Sequence, residues 1–286
     1  MILRNRVIWS DNGTIKDLSE NLNNHISGTH VINYVAGQDY IYFGSDAPFN
    51  HRWIEISVAN VVPSVLTVEL WDGSAWKAVA ETIDQTRNAV GDTSLSLSGR
   101  IIWVPDKQKT SWSADDTADH SGSVITGLGS VKIYDMFWAR LSWSVSWTGT
   151  AALAFIGYKF ANDEDLYSYY PEFNQTEAKN RFKPLMTTWD QVHFESAKEV
   201  IREMKSNRTI DFEGQILEWE ALRIPAIHKA AEIAYSGYGS DWKDEKEQAR
   251  IRFKDAMKLE IWNVDQNGNA QIDSREKAFR TGNLIR

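Results

Sequence analysis

Near the C-terminus, Asp265-Gln266-Asn267-Gly268-Asn269-Ala270-Gln271-Ile272-Asp273-Ser274-Arg275-Glu276 carries oxygen-bearing side chains at the spacing of a twelve-residue calcium-binding loop. Asp265, Asn267 and Asn269 occupy loop positions one, three and five. Gln271 offers its carbonyl, Asp273 acts directly or through water, and Glu276 is placed to bind through both oxygens. The spacing matters because alternate residues on a tight loop all point oxygens inward. Two features weaken the site. Ala270 stands where the sharp turn favours Gly, and only Asp265, Asp273 and Glu276 among the side-chain ligands are acids. Ca2+ is therefore a weak candidate ligand, and nothing else in the sequence requires a cofactor. The competing reading is a polar loop of Asx turns that leads into a terminal arm.

The loop follows EF-hand spacing, yet no second such hand is present to pair with it. The histidines at 25, 30, 51, 120, 193 and 228 are scattered without a His-x-x-x-His pair, so zinc is not expected. The absence of cysteine excludes disulfides and thiolate chemistry. Asp119-His120-Ser121 holds the residue types of a hydrolytic triad, but consecutive residues do not form its geometry. Glu164 and Asp165 read as solvated residues of a link rather than as a catalytic pair. There is no Walker loop and no Gly-x-Gly-x-x-Gly, and no enzyme is expected. The tryptophans remain. Trp71, Trp76 and Trp112 are placed either to stack on sugar rings or to fill a core.

The elements that must position these residues fall into two kinds. Nine of the thirteen tryptophans lie in residues 1–160, which hold 12 Lys+Arg and 16 Asp+Glu; residues 161–286 hold 19 and 23. Charge density rises sharply at the junction, as between two domains with different relations to solvent. In the first part, Ile54, Ile56 and Val58 share one face of an alternating run, as do Leu66, Val68 and Leu70. Residues 138–147 alternate Leu141, Trp143, Val145 and Trp147 with Arg140 and serines. Residues 100–104 and 151–160 add further strands. Asp72-Gly73 marks a tight hairpin, and loops are expected at 84–99 and 111–130. This predicts half-buried antiparallel strands in a jelly-roll-like β-sandwich.

Residues 161–185 read as a linker that opens with the acidic Ala161-Asn162-Asp163-Glu164-Asp165. Tyr167, Tyr169 and Tyr170 within it either anchor an interface or pack at the junction. Thr188-Trp189-Asp190-Gln191 has the form of a capping box, followed by Val192, Ala197, Val200, Ile201 and Met204 at helical spacing. A second helix is expected over about residues 212–235, broken by Pro225 and stopped by Gly237 and Gly239. A third opens at Ser240-Asp241 with the stripe Ala249, Phe253, Ala256 and Met257, and runs to about Trp262. The expected class is a multidomain α+β chain. A β-sandwich covers 1–160, a helical bundle 186–262, and a loop with an extended C-terminal arm 263–286.

Trp71-Asp72-Gly73-Ser74-Ala75-Trp76 and Phe43-Gly44-Ser45-Asp46-Ala47-Pro48-Phe49 resemble galactose-binding-like and carbohydrate-binding β-sandwich modules, and β-sandwich domains of tailed-phage structural proteins. Ile201-Arg202-Glu203-Met204-Lys205, the run from Pro225 through Ala226-Ile227-His228-Lys229-Ala230-Ala231-Glu232-Ile233-Ala234 to Tyr235, and Asn263-Val264-Asp265-Gln266-Asn267-Gly268-Asn269 resemble the head-to-tail adaptors of tailed phages over residues 186–286. That resemblance implies a virion protein, assembled in the host cytoplasm, forming a ring of about a dozen copies under the portal. Its partners would be the portal protein and downstream tail or stopper proteins. Phe279, Arg280, Leu284, Ile285 and Arg286 would be the docking arm.

The net charge of −8 disfavours a nucleic-acid reader but suits a lumen that lets DNA slide past. The opening MILRNRVIWSDNG has no long apolar stretch of a secretory signal, and no run reaches the length of a membrane span. The rival expectation is a carbohydrate-binding or host-recognition module on a helical attachment domain.

Overall fold

The computed structural model describes residues 5–24, 29–88, 92–104, 125–129, 136–259 and 263–265. The loop expected at 111–130 lies almost wholly outside them. The class is α+β: two antiparallel sheets, of six and five strands, and six α-helices among the described residues. The chain divides into two compact units between Gly157 and Tyr158. No helix among the described residues is long and apolar enough to cross a membrane.

The first unit holds both sheets. β1 (Asn5–Asp11), β2 (Thr14–Asp17), β4 (Tyr40–Ser45), β6 (Leu66–Trp71), β7 (Trp76–Ala78) and β10 (Phe137–Trp143) form one, in the order β2-β1-β4-β10-β6-β7. β3 (His30–Ile32), β5 (His51–Val58), β8 (Glu81–Asp84), β9 (Gly99–Val104) and β11 (Ala151–Gly157) form the other, in the order β3-β11-β5-β9-β8. A short helix, α1 (Ser19–Asn24), follows β2. Alternation sends Val7, Trp9, Ile41, Phe43, Val68, Leu70 and Leu141 of the first sheet into one core with Ile54, Ile101 and Trp103 of the second, and the irregular register of β11 adds both Leu153 and Ile156 to it. Asn12-Gly13 joins β1 to β2 with positive φ at both residues (45° and 81°), the conformation that matches hairpin turn to strand twist. The Asp72-Gly73 turn joins β6 to β7 as expected, with Gly73 at φ 95° and the Asp72 carboxylate accepting from the Ser74 and Ala75 amides.

One expected strand is shorter than its alternation. β10 stops at Trp143, because the Tyr34 hydroxyl brackets that residue's backbone: it accepts from the amide (2.8 Å) and donates to the carbonyl (2.9 Å). Residues 144–147 leave the sheet, although Trp147 stays buried against Tyr34. The stretch expected as a loop at 84–99 begins on the last residue of β8, and Gly99 opens β9 where a Cβ would lie 2.4 Å from the Gln85 carbonyl oxygen.

The second unit holds α2 (Asp163–Tyr169), α3 (Thr176–Phe182), α4 (Asp190–Ser206), α5 (Arg223–Ser236) and α6 (Lys243–Leu259). Residues 161–185 are therefore not a linker. They carry two helices, and Leu166 and Phe173 are fully buried in this unit's core beside Tyr158 and Phe160. Asn162 caps α2 with a reciprocal box: its side chain accepts from the Asp165 amide, and Asp165 accepts from the Asn162 amide. The Thr188 capping box does not form. Trp189 precedes α4 without a side-chain cap, and its own N–H goes to Asp163 instead.

The second helix begins at Arg223 rather than near Phe212, after 3-10 turns at Glu213–Gln215 and Glu220–Leu222. Pro225 falls in the first turn of α5, where its missing N–H has no intrahelical acceptor to lose, so it starts the helix rather than kinks it. α6 buries Ala249, Phe253, Ala256 and Met257 as the stripe required.

Candidate functional site

A cluster of polar side chains in the second unit is built around α2. Asp163 stands in its first turn, where the helix dipole favours an acid. Its Oδ1 lies 3.0 Å from His193 Nε2 and 3.1 Å from the Trp189 amide nitrogen, and its Oδ2 accepts from the Tyr167 hydroxyl at 2.9 Å. Burial works against ionisation of Asp163, but these donors, His193 first, outweigh it and hold the carboxyl below its usual range. Burial, with the neighbouring Asp163 charge, raises Tyr167. His193 is fully buried on α4, and its Nδ1 has no hydrogen-bond partner among the described residues.

A second pair lies one turn further along. The Tyr170 hydroxyl and His228 Nδ1 of α5 are 2.9 Å apart, and the Tyr169 and Tyr170 rings meet the imidazole edge-on. Burial, aided by Arg252, lowers His228 to about 4, so it is neutral at neutral pH. Tyr235 donates to Glu172, and Arg223 pairs with the buried Asp165. Lys159 reaches Asp190 at 2.6 Å over the Phe194 ring.

An Asp–His pair can orient a general base. Here the free nitrogen of His193 faces no Ser, Thr or Cys partner among the described residues, and His228 Nδ1 is committed to a tyrosine. The arrangement fits a set of buried locks that hold α2 to α4 and to α5.

In the first unit, the face of the six-stranded sheet turned away from the shared core carries its own aromatic cluster. Ile8, Tyr42, Trp71 and Trp138 are buried there with Ile125, Leu128 and Met136, and Tyr40 and Trp76 pack at the rim. Arg140 lies between the Tyr40 and Trp76 rings (4.4 and 4.7 Å from their centroids) and pairs with Glu69 at 2.6 Å. The Trp76 indole N–H donates to the Thr126 carbonyl. Burial raises Tyr42 to about 12 against the pull of Arg140.

The residues singled out from sequence are dispersed. Trp71 is 3% exposed and meets Trp76 edge-to-face, so neither ring forms an open platform with the other. Trp112 lies outside the described residues. Of the three tyrosines, Tyr170 is buried, Tyr167 is half-buried with its hydroxyl on Asp163, and only Tyr169 is exposed. Asp165 is buried and paired rather than solvated, while Glu164 is exposed as expected.

Asp265 is the one residue of the candidate calcium loop that is described. It is buried, and its amide donates to the Gln215 carbonyl beside the Ile216–Val264 bridge. Asn267, Asn269, Gln271, Asp273 and Glu276 lie outside the described residues, as do Phe279, Arg280, Leu284, Ile285 and Arg286. No group of three metal-ligating side chains occurs among the described residues. Asp163, His193, His228 and Arg140 were not singled out as site residues, and Tyr170 was read as an interface or junction aromatic rather than as the partner of His228. The one local signal was Asn162-x-x-Asp165, a capping pattern that marks a helix start where a link was read.

No family model, curated protein or solved structure matches the chain.

Proposed function

We propose that the chain is a structural protein of a tailed-phage virion, a head-to-tail adaptor. In this reading the two sheets with their shared core are a jelly-roll-like β-sandwich, and α4, α5 and α6 are a helical bundle that joins a ring under the portal. The observation that carries it is the placement of the adaptor-like segments. Residues 201–205 end α4 and residues 225–235 fill α5, and both helices contribute to one core with α6. Over residues 243–258 of α6, only Ala249, Phe253, Ala256 and Met257 are buried, which leaves a long charged face for neighbouring subunits.

Phe279, Leu284 and Ile285 would seat the arm in a portal groove while Arg280 and Arg286 meet acidic portal side chains. Portal and downstream stopper proteins are the partners, and DNA passes the lumen without being gripped, as a net charge of −8 favours. The sugar-binding alternative has no support in Trp71, whose burial leaves no face for a sugar ring.

Co-expression with the portal protein tests the reading. A complex much larger than the chain is expected by sizing, and it should be lost when residues 278–286 are deleted while thermal melting stays nearly unchanged. Failure of the full chain to associate with any head or tail component contradicts it.

A further inference from the structure

The cations of α6 are not spread evenly round the helix. At about 100° per residue, Lys243, Lys246, Arg250, Lys254 and Lys258 fall within about 120° of arc, and all are exposed. This flank runs about 22 Å along the helix axis. Glu247 is the one acid on it. It pairs with Arg250 at 2.6 Å, and its carboxyl is held below the usual range by Arg250 first and then by Lys254 and Lys243. Lys243, Lys246 and Lys254 have no ion-pair partner among the described residues. The opposite excess lies between α4 and α5. Residues 211–220 carry Asp211, Glu213, Glu218 and Glu220 and no Lys or Arg. Glu213 is tied to Lys205 and Glu218 accepts from Asn263, while Asp211 and Glu220 are exposed and make no ion pair among the described residues. On α4, by contrast, Glu195 pairs with Lys198 and Glu199 with Arg202. No ion pair among the described residues joins the α6 flank to residues 211–220 of the same chain.

We propose that the basic flank of α6 docks on the acidic 211–220 segment of a second copy of the chain. The occupant is selected by charge: the same unit that presents unpaired lysines also presents acids that its own cations do not meet. Complementary charge of this kind steers encounter and fixes register. Because the two faces differ, the contact is head-to-tail, and each copy gives one face to the copy before it and the other to the copy after it. Nucleic acid fits less well. Phosphate would suit the flank, but it would approach a chain of net charge −8 and leave residues 211–220 uncovered. The contact deepens the adaptor reading by naming the faces that meet between subunits, and it rests on that reading only for closure of the ring.

Sedimentation velocity of the full chain over about 1–100 µM tests it. Wild-type protein is expected to self-associate. K246E/K254E takes the net charge to −12 (−8 − 4), and D211K/E220K takes it to −4 (−8 + 4). Each should weaken association at least about tenfold, and the chain carrying all four substitutions should recover to within about threefold of wild type. If a reversal fails to fold, K246Q/K254Q or D211N/E220Q carries the same test with an expected loss of about threefold. A response that follows net charge alone, weaker in K246E/K254E and stronger in D211K/E220K, overturns the proposal. So does a combined chain that stays dissociated, or a wild-type chain that stays monomeric throughout; if that monomer binds a labelled DNA duplex and K246E/K254E does not, the flank belongs to phosphate. Capture by the portal protein separates this contact from the adaptor reading. A chain that seats on the portal while its self-association ignores both reversals overturns the contact alone. A chain that never seats while the reversals act as expected supports the contact and contradicts the adaptor.

Discussion

In the two-sheet unit most of the large buried rings on the strands sit where alternation puts them; Tyr34, whose hydroxyl bonds both backbone groups of Trp143, is the exception that uses its polar edge. Among the described residues the indole N–H groups of Trp103, Trp138 and Trp147 are buried without hydrogen-bond partners, while that of Trp143 reaches Ser94 Oγ. In the helical unit the buried rings come with polar ties: Trp189 Nε1 donates to the Phe173 carbonyl, Tyr170 meets His228, Tyr235 meets Glu172, and Asp163 gathers His193, Tyr167 and the Trp189 amide. The difference follows from the backbone. A sheet fixes strand to strand by its own ladder, so register needs no side-chain hydrogen bonds. Helices satisfy their amides internally, and side chains must then set how one helix lies on the next.

The largest effect should come from removing a ring that serves both purposes. Trp189→Ala empties a fully buried site packed on Phe173 and Phe182, and should cost about 3–5 kcal/mol. Calorimetry should show the helical unit melting earlier while the two-sheet unit keeps its transition. A single transition that moves as a whole would break the comparison.

Asp163→Ala should cost about 2–4 kcal/mol, because it leaves a buried imidazole and a backbone amide without their acceptor. Asp163→Asn should recover part of this. Thr188→Ala should change the chemical-denaturation midpoint very little, since Thr188 caps nothing. The reverse ranking would restore the local capping box.

The pH response sharpens the contrast further. His228 titrates near 4 when folded and near 6.5 when unfolded, so below pH 6.5 the unfolded chain binds the extra proton. Stability of the helical unit should therefore fall by about 1–3 kcal/mol as pH drops from 6.5 to 4. Asp163 is held below the ordinary carboxyl range, so its contribution is present above pH 4 and fades only under stronger acid. In His228→Gln the slope between pH 6.5 and 4 should flatten; an unchanged slope would assign it elsewhere. His51 of the two-sheet unit is also pushed well below its usual value, by burial and then by Arg100 and Arg52, so some acid sensitivity should remain there.

The smallest expected effect is none. Oligosaccharides at millimolar concentration should not quench tryptophan fluorescence, because Trp71 is buried and Trp76 lies over Arg140. Saturable quenching would move the first unit to the carbohydrate-binding reading.

The same contrast decides what was legible in the sequence. Period-two runs announced β5, β6 and β10, because a half-buried strand must alternate, and short apolar runs announced β9 and β11, which are buried along most of their length. The Ala249, Phe253, Ala256 and Met257 stripe announced the buried face of α6 in the same way. The overreach of β10 past Trp143 shows the limit, since it is stopped by Tyr34, 109 residues away in sequence. The helices of residues 161–185 were missed because their acids looked solvated, although Asn162 and Asp165 form a cap. Asp163 and His193 lie 30 residues apart, and Tyr170 and His228 58 apart, so no local pattern could pair them. Packing chose Asp163 over Thr188 to hold the entry to α4.

Negative-stain images of the purified chain, with and without the portal protein, test the central claim most directly. The adaptor reading predicts closed rings with a central channel, formed alone or on the portal as template. Particles that remain dispersed beside intact portals, with no added density at the portal face, would contradict it.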